Sequence, residues 1–209
     1  MSETTNNYYS HLRTDVLSVV PDDARTILSV GCGEGRTEAE LVRGGRRVFG
    51  IEQNTQAAAT ARAGGIEVIV GDACDGATTP AGVTFDCLIY ADVLEHIADP
   101  VSVMRRHVAA LRPGGTVVVS VPNFRHYAVF MQLFVRGHIR YTDAGIFDRT
   151  HLRITTRRMV ESWFAEVGVR PVGCQHHFSR RRDQAVSILL AGAAREFLAR
   201  QVLVTGRKA

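Results

Sequence analysis

The sequence predicts an α/β protein whose doubly wound, mostly parallel sheet carries helices on both faces. Apolar, β-branched runs alternate with segments of helical periodicity through the first 121 residues, and repeated βα units of this kind form such sheets. Three of the runs end at an acidic residue, and these residues are spaced 20 apart: Glu52, Asp72 and Asp92. Because the carboxyl ends of parallel strands lie at one edge of a sheet, we expect the three carboxylates to line one crevice.

A glycine-rich turn separates the first predicted strand from the first helix of the sheet. The strand is predicted at 26–30, the turn is Gly31-Cys32-Gly33-Glu34-Gly35, and a helix follows over 36–43. Glycine has no Cβ and tolerates positive φ, so the backbone of the turn can pass close to a ligand. The first turn of the helix leaves N–H groups unpaired. This combination is typical of a site for a nucleotide-like ligand.

The other elements alternate in the same way as far as residue 121. An opening helix is predicted from Tyr8 to Val20, where Pro21 ends it, and 74–84 is predicted to be a loop or a short helical turn. Further strands are predicted at 47–51, 66–70, 85–90 and 116–121, and further helices at 56–63, 100–111 and 156–167. Two more strand candidates, 169–176 and 200–205, flank a helical stretch near 184–198 and suit a hairpin-like edge.

Composition and charge fit a single domain. With 209 residues, 45% apolar and 22% charged, the chain can bury an ordinary globular core. Its net charge of +4 modestly favours acidic small molecules and does not require nucleic acid. No apolar run approaches a membrane span and the polar N-terminus lacks a signal peptide, so a cytoplasmic location is expected. The four cysteines match neither zinc-site nor redox spacing, so we expect reduced thiols and no metal site.

Five short pieces of the sequence occur in the order known from one enzyme family. They are Val30-Gly31-Cys32-Gly33-Glu34-Gly35, Glu52, Gly71-Asp72-Ala73, Ala91-Asp92-Val93-Leu94-Glu95-His96 and Leu111-Arg112-Pro113-Gly114-Gly115. With these pieces, residues 26–121 resemble the class I S-adenosylmethionine-dependent methyltransferases. The resemblance implies a Rossmann-like seven-stranded sheet with an antiparallel last strand and a lid insertion after the fifth strand. It implies one methyltransferase domain over 1–209, divided into a cofactor-binding half (8–121), an acceptor-binding lid (122–155) and a C-terminal helix and strand pair (156–209).

A narrower resemblance covers the segment after the fifth strand. Residues 141–153, Tyr-Thr-Asp-Ala-Gly-Ile-Phe-Asp-Arg-Thr-His-Leu-Arg, are similar to a segment of bacterial methyltransferases found near genes for O-antigen, other polysaccharides and natural products. It implies a small-molecule acceptor, and we expect a hydroxyl of a sugar or a secondary metabolite. Methylation of a nitrogen in an amine or heterocycle remains an alternative, as does a non-catalytic scaffold that binds the cofactor. A homodimer is left open.

The family resemblance assigns S-adenosylmethionine, released as S-adenosylhomocysteine, to the glycine turn and the strand ends. Glu52 would accept hydrogen bonds from both ribose hydroxyls, and Asp72 would accept one from the adenine amine while the Ala73 N–H donates to the ring. A solvated charge is the alternative for Glu52 and a turn cap for Asp72. Gly31, Cys32 and Gly33 are expected under the methionine part of the cofactor, and Gln53 at its adenine face. Near the methionine end we expect Ala91, Asp92, Val93 and His96. Tyr9 and Arg13 are expected contacts from the opening helix, where Arg13 would reach the methionine carboxylate.

Two positions next to the turn bear on the choice of cofactor. The family usually has an acidic residue where Ser29 stands, and uses it for the amino group of the cofactor. We therefore expect weaker cofactor affinity or a substitute group. Arg36 stands where a dinucleotide-binding turn requires a small residue, which disfavours a nicotinamide enzyme.

A hydroxyl acceptor must lose a proton, and histidine is a suitable base at neutral pH. His151 is the first candidate because its segment precedes the helix that returns to the sheet, and Asp148 is placed to orient a histidine. His126 is a second candidate, and His138 and His96 are further ones. A structural hydrogen-bonding role is the alternative for His151.

Six arginines between 136 and 158 are opposed by only two aspartates in that span. Arginine forks match phosphate geometry, so a phosphorylated or nucleotide-linked acceptor is one hypothesis, and a solvated basic surface is the alternative. Nucleic acid is disfavoured as a partner. Base-amino methyltransferases carry an Asn/Asp-Pro-Pro-aromatic run after the fourth strand, where this chain reads Ala91-Asp92-Val93-Leu94.

Overall fold

The computed structural model describes residues 12–179, 181–189 and 192–209. A seven-stranded sheet lies at its centre, in the order β3-β2-β1-β4-β5-β7-β6. Strands β1 to β5 pair in parallel, and β7 runs antiparallel to both of its neighbours. The strands are β1 Thr26–Val30, β2 Arg47–Glu52, β3 Glu67–Val70, β4 Phe85–Ala91, β5 Leu111–Pro122, β6 Val169–His177 and β7 Gln201–Lys208. This arrangement confirms the predicted fold class, including the antiparallel last strand.

Eight α-helical segments accompany the sheet within the described ranges. They are α1 Thr14–Leu17, α2 Arg36–Arg43, α3 Thr55–Ala63, α4 Pro100–Ala109, α5 Tyr127–Phe130, α6 Arg157–Glu166, α7 Arg181–Leu189 and α8 Arg195–Leu198. A π-helical turn, Met131–Val135, extends α5, and short 3-10 turns occupy Gly76–Thr78 and Leu94–His96. Tyr9 lies outside the described residues. Within the described ranges no helix is long and apolar enough to cross a bilayer.

Two apolar clusters pack the two faces of the sheet. On one face, Met104 and Val108 of α4 join Val160 and Phe164 of α6. On the other face, the cluster includes residues of α1, α2 and α3 such as Val16. Burial at about 25 cal/mol per Å² of apolar surface is the main stabilising contribution here. The helices therefore hold the strand ends in fixed positions.

The described part of the opening helix ends at Leu17 instead of Val20, and larger differences occur at β5 and in the C-terminal helical stretch. Strand β5 begins at Leu111 instead of 116, because Leu111 pairs with Phe85 and the ladder resumes only at Thr116 opposite Cys87. The glycine-rich stretch between them is thus an irregularity inside the strand. The helical stretch predicted near 184–198 is divided into α7 and α8.

A buried histidine contacts a buried tyrosine beneath the sheet. His107 and Tyr90 are both fully buried, and the Tyr90 hydroxyl lies 2.9 Å from His107 Nδ1. Burial disfavours the charged imidazolium and lowers the pKa of His107 to about 4, with a smaller contribution from the charge of Arg106. The folded protein therefore holds His107 in its neutral form.

We expect acid to destabilise the fold through His107. Its pKa is lower in the folded state (about 4) than the ordinary value of 6.5, so stability is fully present above 6.5 and is lost as pH falls toward 4. The loss is about 3 kcal/mol at most. Urea unfolding between pH 7 and 4 should show a shallower loss for His107→Gln, whose amide oxygen can still accept from Tyr90 but does not titrate. Equal slopes for the two proteins would contradict this account.

Candidate functional site

A crevice of about 1170 Å³ opens at the carboxyl ends of the first four strands. Its floor is formed by the glycine turn after β1 and by Glu52, Asp72 and Asp92 at the ends of β2, β3 and β4. Asp148 and the residues next to it, from the segment after β5, line the opposite side. The volume exceeds that of a typical pocket for one small ligand. The crevice therefore has room for two small molecules side by side.

The glycine turn has the backbone conformation that its sequence requires. Gly31, Gly33 and Gly35 have φ values of 70°, 55° and 73°, a region that residues with a Cβ adopt only under strain. The Gly31 N–H donates to the Ile51 carbonyl at 2.8 Å, which fixes the turn to β2. A Cβ on Gly35 would lie 2.3 Å from Ile66 Cδ1. The turn is thus locked between β2 and the segment that leads into β3.

The Glu52 carboxylate is held by two backbone donors. Its Oε2 accepts from the Gly33 N–H at 2.9 Å, and its Oε1 accepts from the Asn54 N–H at 2.8 Å. Asn54 in turn caps α3 by accepting from the N–H groups of its first turn. Each carboxylate oxygen can accept a further hydrogen bond. Glu52 is only 5% exposed and is therefore a pre-oriented acceptor on the crevice wall, as distinct from a solvated charge.

Asp72 and Gln53 lie at the more open end of the crevice. Both line it, and both are exposed. Asp72 Oδ1 accepts from the Cys74 N–H at 2.8 Å, which is a turn cap of the kind that was the alternative interpretation of this residue. The cap uses one carboxylate oxygen, and the side chain of Asp72 still lines the crevice.

Asp92, after β4, occupies a strained position. Its φ is 55°, the one positive value among described residues other than glycine, and its N–H donates to the Ser120 carbonyl at 3.0 Å. The carboxylate accepts from Arg13 and from Gln201. Three partners from different elements therefore hold Asp92 in a conformation that costs about 1–3 kcal/mol.

Arg13 is largely occupied by protein partners. Its guanidinium donates to Asp92, to both Asp15 oxygens at 2.9 and 2.7 Å, and to Ser120 Oγ at 2.8 Å. These bonds use four of the five donors of the side chain. The predicted contact with a ligand carboxylate is left with one N–H group, while the other four hold Asp15, Asp92 and Ser120.

Glu38 is a crevice residue that the sequence reasoning missed. It lies in the first turn of α2, lines the crevice and is 5% exposed. The Ser29 hydroxyl donates to its Oε1 at 2.6 Å. Burial raises the pKa of Glu38, and the hydrogen bond from Ser29 opposes that shift. Glu38 thus brings a carboxylate to the side chain of Ser29, where the family usually has an acidic residue.

The segment after β5 returns to the turn that follows β4 and brings three predicted residues together. Asp148 Oδ1 accepts from the Thr150 hydroxyl at 2.6 Å, and Thr150 Oγ1 lies 3.1 Å from His96 Nδ1. The rings of His96 and His151 are 4.8 Å apart between centroids. Candidates that are separated by more than 50 residues in sequence therefore form one polar cluster at the crevice.

His126 has a different placement. Its Nδ1 accepts from the Ala128 N–H at 3.1 Å and so caps α5, and its ring lies 4.3 Å from that of Tyr127. Among the described residues that line the crevice, His96 is present but neither His126 nor His151 is; His151 is next to His96. The geometry therefore groups His151 and His96 with Asp148, and leaves His126 with α5.

Burial shifts the pKa values of Glu95 and His151. Burial, and next the negative charge of Asp92, raise the pKa of Glu95 well above its ordinary value. Burial, and next the nearby His96, lower the pKa of His151. A neutral imidazole is the form that can accept a proton or bind a cation.

Comparison with known sequences relates most of the chain to one family. The family model described as "Methionine biosynthesis protein MetW" matches residues 12–167. The "Ubiquinone biosynthesis O-methyltransferase" of Rhizobium johnstonii is 31% identical over 129 residues, 60% of this chain and 52% of the relative. The protein of the same name from a Methylobacterium species is 33% identical over 117 residues, 54% and 47% of the two chains. The chain spans about half the length of the curated relatives it matches.

Solved structures share the whole architecture. A SAM dependent methyltransferase from Archaeoglobus fulgidus superimposes with a TM-score of 0.68 at 14% identity, covering 97% of this chain and 94% of that one. Magnesium protoporphyrin IX methyltransferase from Synechocystis, with bound SAH, gives 0.65 at 11% identity, covering 99% and 83%. At these identities the likeness shows the fold, which is that of class I S-adenosylmethionine-dependent methyltransferases.

The packing of the glycine turn predicts a specific loss of stability. Gly35→Ala introduces both a strained φ and a clash with Ile66, whereas Gly45→Ala introduces the strain alone, because its φ is 79° and nothing lies within 4 Å of an added Cβ. We expect Gly35→Ala to lose about 1–3 kcal/mol more unfolding free energy than Gly45→Ala in urea titrations. Equal losses in the two variants would show that the turn is not packed as described.

Proposed function

The chain belongs to the family described as methionine biosynthesis protein MetW, and from this premise we propose that it is an S-adenosylmethionine-dependent methyltransferase acting on a hydroxyl oxygen of a small molecule. The proposal rests on the crevice, whose charge is opposite in sign to that of the whole chain.

The charge balance of the crevice is the observation that carries the proposal. Its lining includes six carboxylates and three arginines, although the chain as a whole has a net charge of +4. An acidic crevice suits a ligand with a cationic sulfonium and an ammonium group, and it disfavours the anionic pyrophosphate of a dinucleotide. The carboxylates are Glu38, Glu52, Asp72, Asp92, Asp143 and Asp148, and the arginines are Arg13, Arg36 and Arg149.

The residues present fit S-adenosylmethionine. The two oxygens of Glu52, each with a free lone pair, suit a pair of ribose hydroxyls, and Asp72 suits the adenine amine. Glu38 suits the ammonium group, in place of the acidic residue that Ser29 replaces. The backbone of Gly31 and Gly33 gives close approach beneath the methionine part. When bound, the cofactor supplies an electrophilic methyl group.

His151 and His96 are the candidates for the base that takes the proton of the acceptor hydroxyl. Because the Thr150 hydroxyl donates to Asp148, its oxygen is free to accept from His96 Nδ1–H, and the basic nitrogen of His96 is then Nε2. His96 lines the crevice, and the ring of His151 packs against the ring of His96. Asp148 thus acts as a positioning residue through Thr150, which supports the role predicted for it.

An oxygen acceptor is favoured by the relatives, which are named as O-methyltransferases of ubiquinone biosynthesis. A hydroxyl of a sugar or of a secondary metabolite is an oxygen acceptor of this kind. The acidic crevice disfavours a phosphorylated acceptor, because of the six arginines between 136 and 158 only Arg149 is among the described lining residues. Arg149 also lies 2.8 Å from Asp143 in an ion pair.

Binding calorimetry separates this proposal from a chain that does not bind the cofactor. We expect S-adenosylhomocysteine to bind the purified chain, and Glu52→Gln to weaken it about 10- to 100-fold, since the charged acceptor of two hydroxyl hydrogen bonds is lost. Glu67→Gln, in an exposed ion pair with Arg47 outside the crevice, is the matched control. Equal affinity of the two variants would contradict the assignment. A turnover assay for S-adenosylhomocysteine release with hydroxyl acceptors then separates an enzyme from a scaffold.

The role of Glu38 has its own test. Glu38→Gln should weaken S-adenosylhomocysteine, which carries an ammonium group, about 10-fold or more. It should leave 5′-methylthioadenosine, which lacks the amino acid part, within about twofold. Calorimetry with both ligands measures the difference. A parallel loss for both ligands would show that Glu38 only maintains the turn.

A further inference from the structure

We propose that Glu95, His96 and His151 form a site for one divalent transition-metal ion of the zinc class, at the end of the crevice where the acceptor binds. Each side chain offers one ligand atom, and the three atoms lie within 4.8 Å of one another. Two imidazole nitrogens and one carboxylate oxygen are the protein ligands of many catalytic zinc sites and of the facial triads that bind ferrous iron. Of the three, His96 lines the crevice, and Glu95 and His151 lie next to it.

Glu95 supplies the observation that points to a cation. Its side chain is 1% exposed, and its Oε2 has no hydrogen-bond partner. A buried carboxylate oxygen without a partner is destabilising, and buried acids are usually paired with cations or metals. A metal ion held also by the two histidines supplies the missing partner.

His151, in the same cluster, has a second unpartnered atom. Its Nδ1 is buried and has no hydrogen-bond partner, while the side chain interacts with the backbone at Ile146. Histidines that bind metals commonly use one ring nitrogen for the ion and the other for a hydrogen bond to a carbonyl or carboxylate. The ring of His151 is arranged in this way.

His96 is oriented by its own outer partners. Its Nδ1 lies 3.1 Å from Thr150 Oγ1 and 3.2 Å from the Thr150 carbonyl. The Thr150 hydroxyl is committed as a donor to Asp148 Oδ1 at 2.6 Å, so His96 Nδ1 carries the proton. The lone pair of His96 is therefore on Nε2, so this nitrogen is the one through which a metal ion would be bound.

Main-chain hydrogen bonds bring the two ligand-bearing segments together. The N–H groups of Leu152 and Arg153 both donate to the Glu95 carbonyl, at 2.8 and 3.0 Å. Metal–ligand bonds of about 2.0–2.2 Å place donor atoms about 3.0–3.5 Å apart. Binding of an ion would therefore require the three side-chain atoms to approach one another by about 1.5 Å.

The site has a chemical use at this end of the crevice. Three protein ligands leave positions for water or for an oxygen of the acceptor, and a bound cation lowers the pKa of such an oxygen. This use rests on the proposed function, whereas the site itself rests on the geometry. The sequence-based expectation of no metal site considered local spacing, and these ligands come from segments 55 residues apart in the chain.

Calorimetric titration of the chelator-treated full chain with Zn²⁺, without cofactor or acceptor, tests the site. We expect one equivalent to bind with a micromolar or lower dissociation constant, and His96→Asn and Glu95→Gln each to weaken it at least about 100-fold. His138→Asn is the matched control, because His138 is an exposed histidine outside the cluster. Circular dichroism checks that each variant is folded. Because His96 is only half-buried, we expect His96→Asn to fold, and it tests the site even if Glu95→Gln unfolds.

The alternative outcomes each decide the question. No stoichiometric Zn²⁺ binding, or equal binding by wild type and His96→Asn, overturns the site, and stronger binding of Mg²⁺ than of Zn²⁺ overturns the class of ion. Co²⁺ gives a second readout, because a visible absorption band expected for wild type should disappear in His96→Asn.

Methyl transfer that persists without Zn²⁺ binding overturns this inference alone. Zn²⁺ binding without turnover on any acceptor supports the site and counts against the proposed function.

Discussion

The hydrogen bonds from the Gly33 and Asn54 N–H groups to the Glu52 carboxylate are the interaction on which the cofactor side of the crevice depends. They join the glycine turn after β1, the end of β2 and the start of α3. A buried carboxylate is stable there because both oxygens are satisfied by the backbone. The remaining lone pairs are the ones that we propose accept from the ligand. One side chain therefore shapes the turn and lines the crevice.

The acceptor side depends on a different constraint, the return of the chain to the turn after β4. The hydrogen bonds to the Glu95 carbonyl from Leu152 and Arg153 are long-range main-chain contacts, and they bring Asp148, Thr150 and His151 to His96. Closing so long a loop costs conformational entropy, which these bonds and the buried Ile146 and Phe147 offset. The proposed acceptor site is consequently built by tertiary contacts more than by any local motif.

This difference explains what the sequence could and could not predict. The strands that carry Glu52, Asp72 and Asp92 were predictable because hydrophobic periodicity and strand-end punctuation are local signals. The ligand roles of these residues remain predictions. Glu38 was missed because its contact with Ser29 depends on how α2 packs over β1. The start of β5 at Leu111 and the division between α7 and α8 depend on pairing and packing that periodicity does not report. The His96–His151 contact was not predictable from spacing, because it depends on the path of the segment after β5.

The central claim is that the strand ends form a site for S-adenosylmethionine. The most direct test is a crystal structure of the chain with S-adenosylhomocysteine. The account predicts that the Glu52 carboxylate keeps its bonds to the Gly33 and Asn54 N–H groups and accepts hydrogen bonds from both ribose hydroxyls. A nucleoside bound elsewhere, or a ribose out of reach of Glu52, would contradict it.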